Sequence, residues 1–155
     1  MKIYLAAPYA ARELVKGYAA ELTRIGFTVT SSWIDETHDI NAGTTGAATD
    51  LDDTQVAAHA AGDLYDIDLA DLLVAFTAKA TSTEGGSGGR HVETGYAIAK
   101  NKPVVVVGEP ENVFHRLGRA CTLVPDWHEA VIELSARLVE GRHPRARAMC
   151  DEVAG

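Results

Sequence analysis

Two apolar runs, LLVAF after Asp71 in the strand 71–76 (DLLVAF) and 104–107 (VVVV), constrain this chain more than any other feature in it. A strand with one wet face alternates apolar and polar residues. A strand apolar at every position is covered on both faces, as in a parallel sheet between helices. A third run, 2–6 (KIYLA), ends at Pro8, which cannot continue a central strand. Helical spacing fills the gaps. In 10–25, Leu14, Tyr18, Leu22 and Ile25 recur at that spacing and Gly26 supplies a stop, after which 27–33 reads as a second strand. The stretch 50–69 reads as a helix capped by Asp50 with Asp53 three residues on, and 90–101 as a third helix. A short fifth strand is expected at 121–124, followed by a helix capped by Asp126 and running to 139, with Trp127, Ala130, Val131, Leu134 and Leu138 on its apolar face. Alternating strands and helices predict an α/β chain: a three-layer Rossmann-like (flavodoxin-like) fold with a five-stranded parallel sheet.

With 155 residues and 46% hydrophobic content, one domain with a substantial core is expected, spanning 1–140, with 141–155 as a C-terminal tail. A net charge of −8, with the basic residues scattered until Arg137, argues against a groove that tracks a nucleic-acid polymer. Cys121 and Cys150 form no metal-ligand spacing and no disulfide framework, so a reducing, cytoplasmic compartment is the expectation. No apolar run approaches a membrane span, and no leader pattern precedes the strand at Lys2.

The chemistry concentrates in 85–96 (GGSGGRHVETGY), between the third strand and the third helix. Glycines let a backbone approach a ligand closely, and the N–H groups of a following helix favour an anion. Glu93 falls within the expected first turn, where those N–H groups and the helix dipole favour an ionised carboxylate, a potential nucleophile. The plain alternative is an ordinary first-turn glutamate after a flexible loop. His91, two residues before it, is read as an exposed residue that can contact substrate or phosphate. Tyr9 and Trp33 are candidates to sandwich a nucleobase, with a core position as the alternative for Trp33. The polar stretch 34–49 has no period and reads as a lid or specificity loop. The histidines show no metal-ligand spacing, so neither a metal nor any other cofactor is implied.

Three segments together resemble the nucleoside 2-deoxyribosyltransferase family, which includes the 2'-deoxynucleoside 5'-phosphate N-hydrolases and related nucleotide N-glycosidases. They are the opening KIYLAAPY, the stretch GDLYDIDLADLLVAF with Asp63 eight residues before Asp71, and GGSGGRHVETGYAIAKNKPVVVV. The similarity covers about residues 2–108. It implies that Glu93, in a Glu-x-Gly motif, attacks the anomeric carbon to form a glycosyl-enzyme ester, and that Asp63 passes a proton toward the departing base. It places Tyr9 beside the sugar or nucleophile, and Ser87, with the backbone of Gly88 and Gly89, at a 5'-phosphate that Arg12 would also contact. Without the resemblance, Asp63 with Asp66, Asp68 and Asp71 would read as a solvated helix end. Departure of a base through an oxocarbenium-like state independently calls for two carboxyl groups in unlike environments.

Three function classes follow. The first is an N-glycosidase of a (2'-deoxy)nucleoside 5'-monophosphate, the second a base-exchanging deoxyribosyltransferase, and the third a non-catalytic nucleotide-binding module. The expected partner is a small nucleotide or nucleoside. The resemblance also implies a homodimer or higher homo-oligomer.

Overall fold

The computed structural model describes residues 1–36, 51–82 and 88–142. Five parallel strands, β1 (Lys2–Ala6), β2 (Thr28–Val29), β3 (Leu72–Phe76), β4 (Val104–Val107) and β5 (Cys121–Val124), form one sheet in the order β2-β1-β3-β4-β5. The apolar runs are its centre, and every residue of β3 and β4 is buried. The helices are α1 (Arg12–Arg24), α2 (Asp53–Leu69), α3 (Ala78–Thr81), α4 (Gly89–Ala99) and α5 (Trp127–Arg142).

Strand register divides the layers. Tyr4 pairs with Leu73, so Tyr4 and Phe76 have opposite parity and project to opposite faces of the sheet. Phe76 meets α1 and α5, where Tyr18 stacks on both Phe76 (5.5 Å) and Trp127 (4.2 Å) and the Trp127 indole donates to Glu21. Tyr4 meets α2 and α4, which are tied to each other by Tyr96 donating to Asp68 at 3.1 Å and by the Lys100–Asp68 ion pair. The result is the expected three-layer arrangement.

Several local expectations are corrected. The buried face of α1 is Val15, Ala19 and Leu22, while Leu14 and Ile25 are 42% and 40% exposed, because small alanines let the helix lie close on the sheet. The second strand is only two residues long, since the chain turns into a 3-10 helix, Ser32–Asp35. The cap of α2 is Asp52, which completes a reciprocal capping box with Gln55; Asp50 lies outside the described residues. The loop after β3 contains α3, capped by the Thr77 side chain. Helix α5 extends to Arg142, and 143–155 lie outside the described residues.

Gly108 closes the rim. Its φ is +96°, and a Cβ there would lie 2.9 Å from the Ala80 Cβ and press on the Thr77 hydroxyl, so only glycine lets α3 sit on the end of β4. No described helix is long and apolar enough to cross a membrane.

Candidate active site

Among its buried side chains strand β1 carries one polar tip, the hydroxyl of Tyr4, whose residue is fully buried. A buried hydroxyl requires a partner, and this one donates to Glu93 Oε1 at 3.0 Å. Glu93 comes from α4, which follows β3, and the nearby Asp63 from α2, which precedes it. The three residues therefore converge where β1 and β3 lie side by side and the strand order reverses, the ligand-binding position of open α/β sheets.

Helix α4 starts at Gly89, so Glu93 is its fifth residue rather than a first-turn residue, and its carboxyl turns to Tyr4 instead of the helix N–H groups. The expectation that a helix end keeps it ionised is corrected. Burial, and then the negative charge of Asp63, push the Glu93 carboxyl up to about 8, against the opposing pull of Tyr4 and Arg90. The Tyr4 phenol is itself pushed far above its ordinary value by burial and by the Glu93 and Asp63 charges.

Asp63 lies within α2 rather than at its end. Burial and then the Glu36 charge raise its carboxyl to about 6, while Tyr4 and His59 work in the opposite direction. Its Oδ1 is buried and has no hydrogen-bond partner among the described residues. The acidic cluster separates into individual tasks. Asp66 is buried and accepts from the Ser32 N–H (2.8 Å) and hydroxyl (2.6 Å), Asp68 binds Tyr96 and Lys100, and Asp71 accepts from the Lys2 N–H at 2.7 Å. Asp63 alone of the four turns toward Glu93 and Tyr4.

Tyr9 opens a 3-10 turn into α1, which carries its ring toward Trp33 and residue 36. Arg12 donates to the Tyr9 hydroxyl at 2.6 Å and to the Glu36 carbonyl, which Tyr9 also contacts at 3.3 Å. Tyr4, rather than Tyr9, is thus the tyrosine that touches Glu93. Trp33 is 6% exposed and its indole donates to the Leu5 carbonyl at 2.8 Å, so it is a core residue. Its ring centre lies 6.4 Å from that of Tyr9 at a 44° tilt, which leaves no slot for a base between them. The sandwich expectation is corrected accordingly.

Gly88 caps α4 at φ +82°, and its carbonyl receives the N–H groups of His91 and Val92. A Cβ at Gly88 or Gly89 would meet no atom of the described residues within 4 Å. Ser87 and 83–86 lie outside the described residues. Arg90 forms a two-pronged contact with Glu111 (3.0 Å to each oxygen), which also accepts from the Ala78 N–H at 2.7 Å. His91 faces this same group, 3.7 Å from Glu111 and within 3.2 Å of Asn112, and burial lowers its pKa. It points away from Glu93's partners.

Tyr4, Glu36 and His59 were not expected at the site. Tyrosine is a good strand former, so Tyr4 reads as sheet, although a polar tip in the middle of an apolar run was a usable signal. Glu36 fell in a stretch without a period, and His59 lacks a metal spacing.

No family model matches the sequence, and no curated protein matches it. Solved structures do resemble the fold. A CMP N-glycosidase, BcmB, from Clostridium botulinum superposes with a TM-score of 0.55 at 18% identity, covering 88% of this chain and 99% of the other. A 2-deoxyribosyltransferase from Bacillus psychrosaccharolyticus superposes with a TM-score of 0.59 at 20% identity, covering 84% of this chain and 90% of the other.

Proposed function

We propose that this chain is a member of the nucleoside 2-deoxyribosyltransferase family and an N-glycosidase that cleaves the base–sugar bond of a (2'-deoxy)nucleoside 5'-monophosphate. The observation that carries the reading is the pair of carboxyls, Glu93 and Asp63, enclosed beside the Tyr4 hydroxyl with their titrations driven apart, to about 8 and about 6. Between those values the pair holds one proton. In the reaction that proton passes through Asp63 to the departing base, and ionised Glu93 forms a bond to the anomeric carbon as the glycosidic bond breaks. Water then opens the ester and Glu93 returns to its starting state. The growing positive charge on the sugar favours ionised Glu93 most at the transition state, where it accelerates the reaction. Tyr4 holds the Glu93 carboxyl in line.

Both similar structures named above are enzymes that act at a nucleoside's or nucleotide's base–sugar bond, which supports the family reading. The start of α4 at Gly88 and Gly89, uncrowded by any other described residue, supports a phosphate there, with Ser87 supplying a hydroxyl. One observation favours the base-exchanging transferase instead: the guanidinium of Arg90, at the same helix start, is committed to Glu111. Nucleosides and their 5'-monophosphates, each with and without an acceptor base, separate the readings by chromatography. The expected result is free base released from a monophosphate without acceptor. Ser87→Ala should slow the monophosphate about ten- to a hundred-fold and leave the matching nucleoside nearly unchanged, as expected for one hydrogen bond to a charged group. Base exchange that requires an acceptor would establish the transferase, and ligand binding without turnover would establish a binding module.

A further inference from the structure

We propose that the cavity at the starts of β4 and β5 is a second binding site, for a small phosphorylated molecule, held by Arg119, Arg137 and Lys102 and separate from the Tyr4, Asp63 and Glu93 group.

The cavity has a volume of about 480 Å³. Small-molecule sites run from roughly 300 to 1,000 Å³, so a sugar phosphate fits. Its walls are the end of α4 with the turn into β4 (98–103) and the turn into β5 (118–120), and Thr122 and Arg137 complete it. Pro103 and Ala120 immediately precede β4 and β5, so the cavity lies at the strand ends opposite to Gly108. The whole of α4, 11 residues or about 16 Å, stands between it and the helix start at Gly88.

The lining carries one sign of charge. Three of the chain's 14 lysines and arginines line the cavity, and among the described residues no carboxylate does. In a chain of net charge −8 this is a local reversal that attracts anions. Donors remain to be used. Arg119 is exposed, and its guanidinium has no hydrogen-bond or ion-pair partner among the described residues, which leaves its full fork of N–H groups free. Arg137 gives Nε to Glu133 (2.7 Å) and one terminal nitrogen to the Thr122 hydroxyl (2.9 Å), which fixes the guanidinium and leaves the other terminal nitrogen without a partner among the described residues. Lys102 donates to the Asp68 and Ala70 carbonyls at 3.0 and 2.6 Å, and the third hydrogen of its ammonium remains. The Asp68 carboxylate nearby is engaged by Lys100 and Tyr96. Oxygens that would repel an anion are also occupied: the carbonyls of Tyr96, Ala97 and Ile98 at the end of α4 accept from the N–H groups of Lys100, Lys102 and Asn101. Two guanidinium forks and an ammonium match a phosphate dianion in both charge and donor geometry.

The experiment titrates the full 15N-labelled chain with pyrophosphate, ribose 5-phosphate, ribose and acetate while its amide NMR signals are followed. Saturable shifts at Gly118, Arg119 and Thr122 with both phosphorylated probes, and none with ribose or acetate, uphold the proposal. Arg119→Gln, at an exposed position without partners, should weaken this binding about ten-fold or more, the loss expected for hydrogen bonds to a charged group, and Arg137→Gln should do the same. Folding of each variant is checked by the dispersion of the amide spectrum. Phosphate held at the start of α4 would instead shift the signals of 88–91 and respond to Ser87→Ala, so the two sites are read separately. Shifts confined to 88–91, saturation by acetate as readily as by pyrophosphate, or wild-type affinity in both folded arginine variants overturns the proposal.

Discussion

Replacing Glu93 by Gln should abolish turnover and yet stabilise the fold, increasingly so as pH rises. An unfolded chain releases this proton near the ordinary value of 4.5, whereas the folded chain holds it to about 8. Over that window the native state carries a proton that the unfolded state has lost, so stability falls with rising pH, by up to about 1.4 kcal/mol per pH unit. The loss is absent below the unfolded value and complete above the folded one. At pH 7 the linkage amounts to roughly 3 kcal/mol, of which the share due to Asp63 relaxes when that neighbour takes up a proton, so a gain of about 2 kcal/mol is expected from the neutral amide. Gln still accepts from the Tyr4 hydroxyl, so the packing is preserved. Urea unfolding at pH 5 and pH 8, followed by circular dichroism, reads the effect as a midpoint difference of about 1 M that grows between the two. A midpoint difference that is the same at both pH values would refute the argument that Glu93 is held protonated by burial.

Three other substitutions test separate parts of the structure. Tyr4→Phe removes the donor to Glu93 and should raise the Glu93 pKa further, lowering kcat/KM at neutral pH about ten- to a hundred-fold and moving the alkaline limb of its pH profile upward; an alkaline limb that stays in place would argue against an ionisation effect. Asp63→Asn should slow substrates with poor leaving bases far more than those with activated ones, and uniform loss would point to a structural role. Gly108→Ala adds a methyl group against Ala80 and Thr77 at a left-handed φ, and should cost about 3 kcal/mol of unfolding stability; less than about 1 kcal/mol would mean that α3 yields easily.

The framework was legible because the central strands are apolar at every position, a pattern with few other solutions. Periodicity misled on one face of α1: Leu14 and, just past the helix, Ile25 are half-exposed, whereas Val15, Ala19 and Leu22 face the sheet. Caps depend on a reciprocal pair, so Asp52 with Gln55 prevailed over the acid-rich approach to it. The chemical residues were harder. Motif and resemblance point to Glu93 and Asp63, but the distance of Glu93 from the glycines does not say where the helix begins. One residue of difference in the start of α4 moves a carboxyl from helix N–H groups to a buried phenol. Tyr4 and Glu36 act through contacts spanning 89 and 23 residues of chain, which no local pattern encodes.

The division of the sheet into two faces has an engineering consequence. The Tyr18–Trp127–Phe76 stack and the Glu21 contact belong wholly to the α1 and α5 side, whereas Tyr4, Asp63 and Glu93 project from the other. Thermostabilising libraries directed at α5 and at α1 beyond Arg12 can therefore be screened for melting temperature without an activity assay, while substrate-range libraries belong on α2, α4 and the segments that meet them. Variants from the two sets, separated by a rigid sheet, should combine with nearly additive effects.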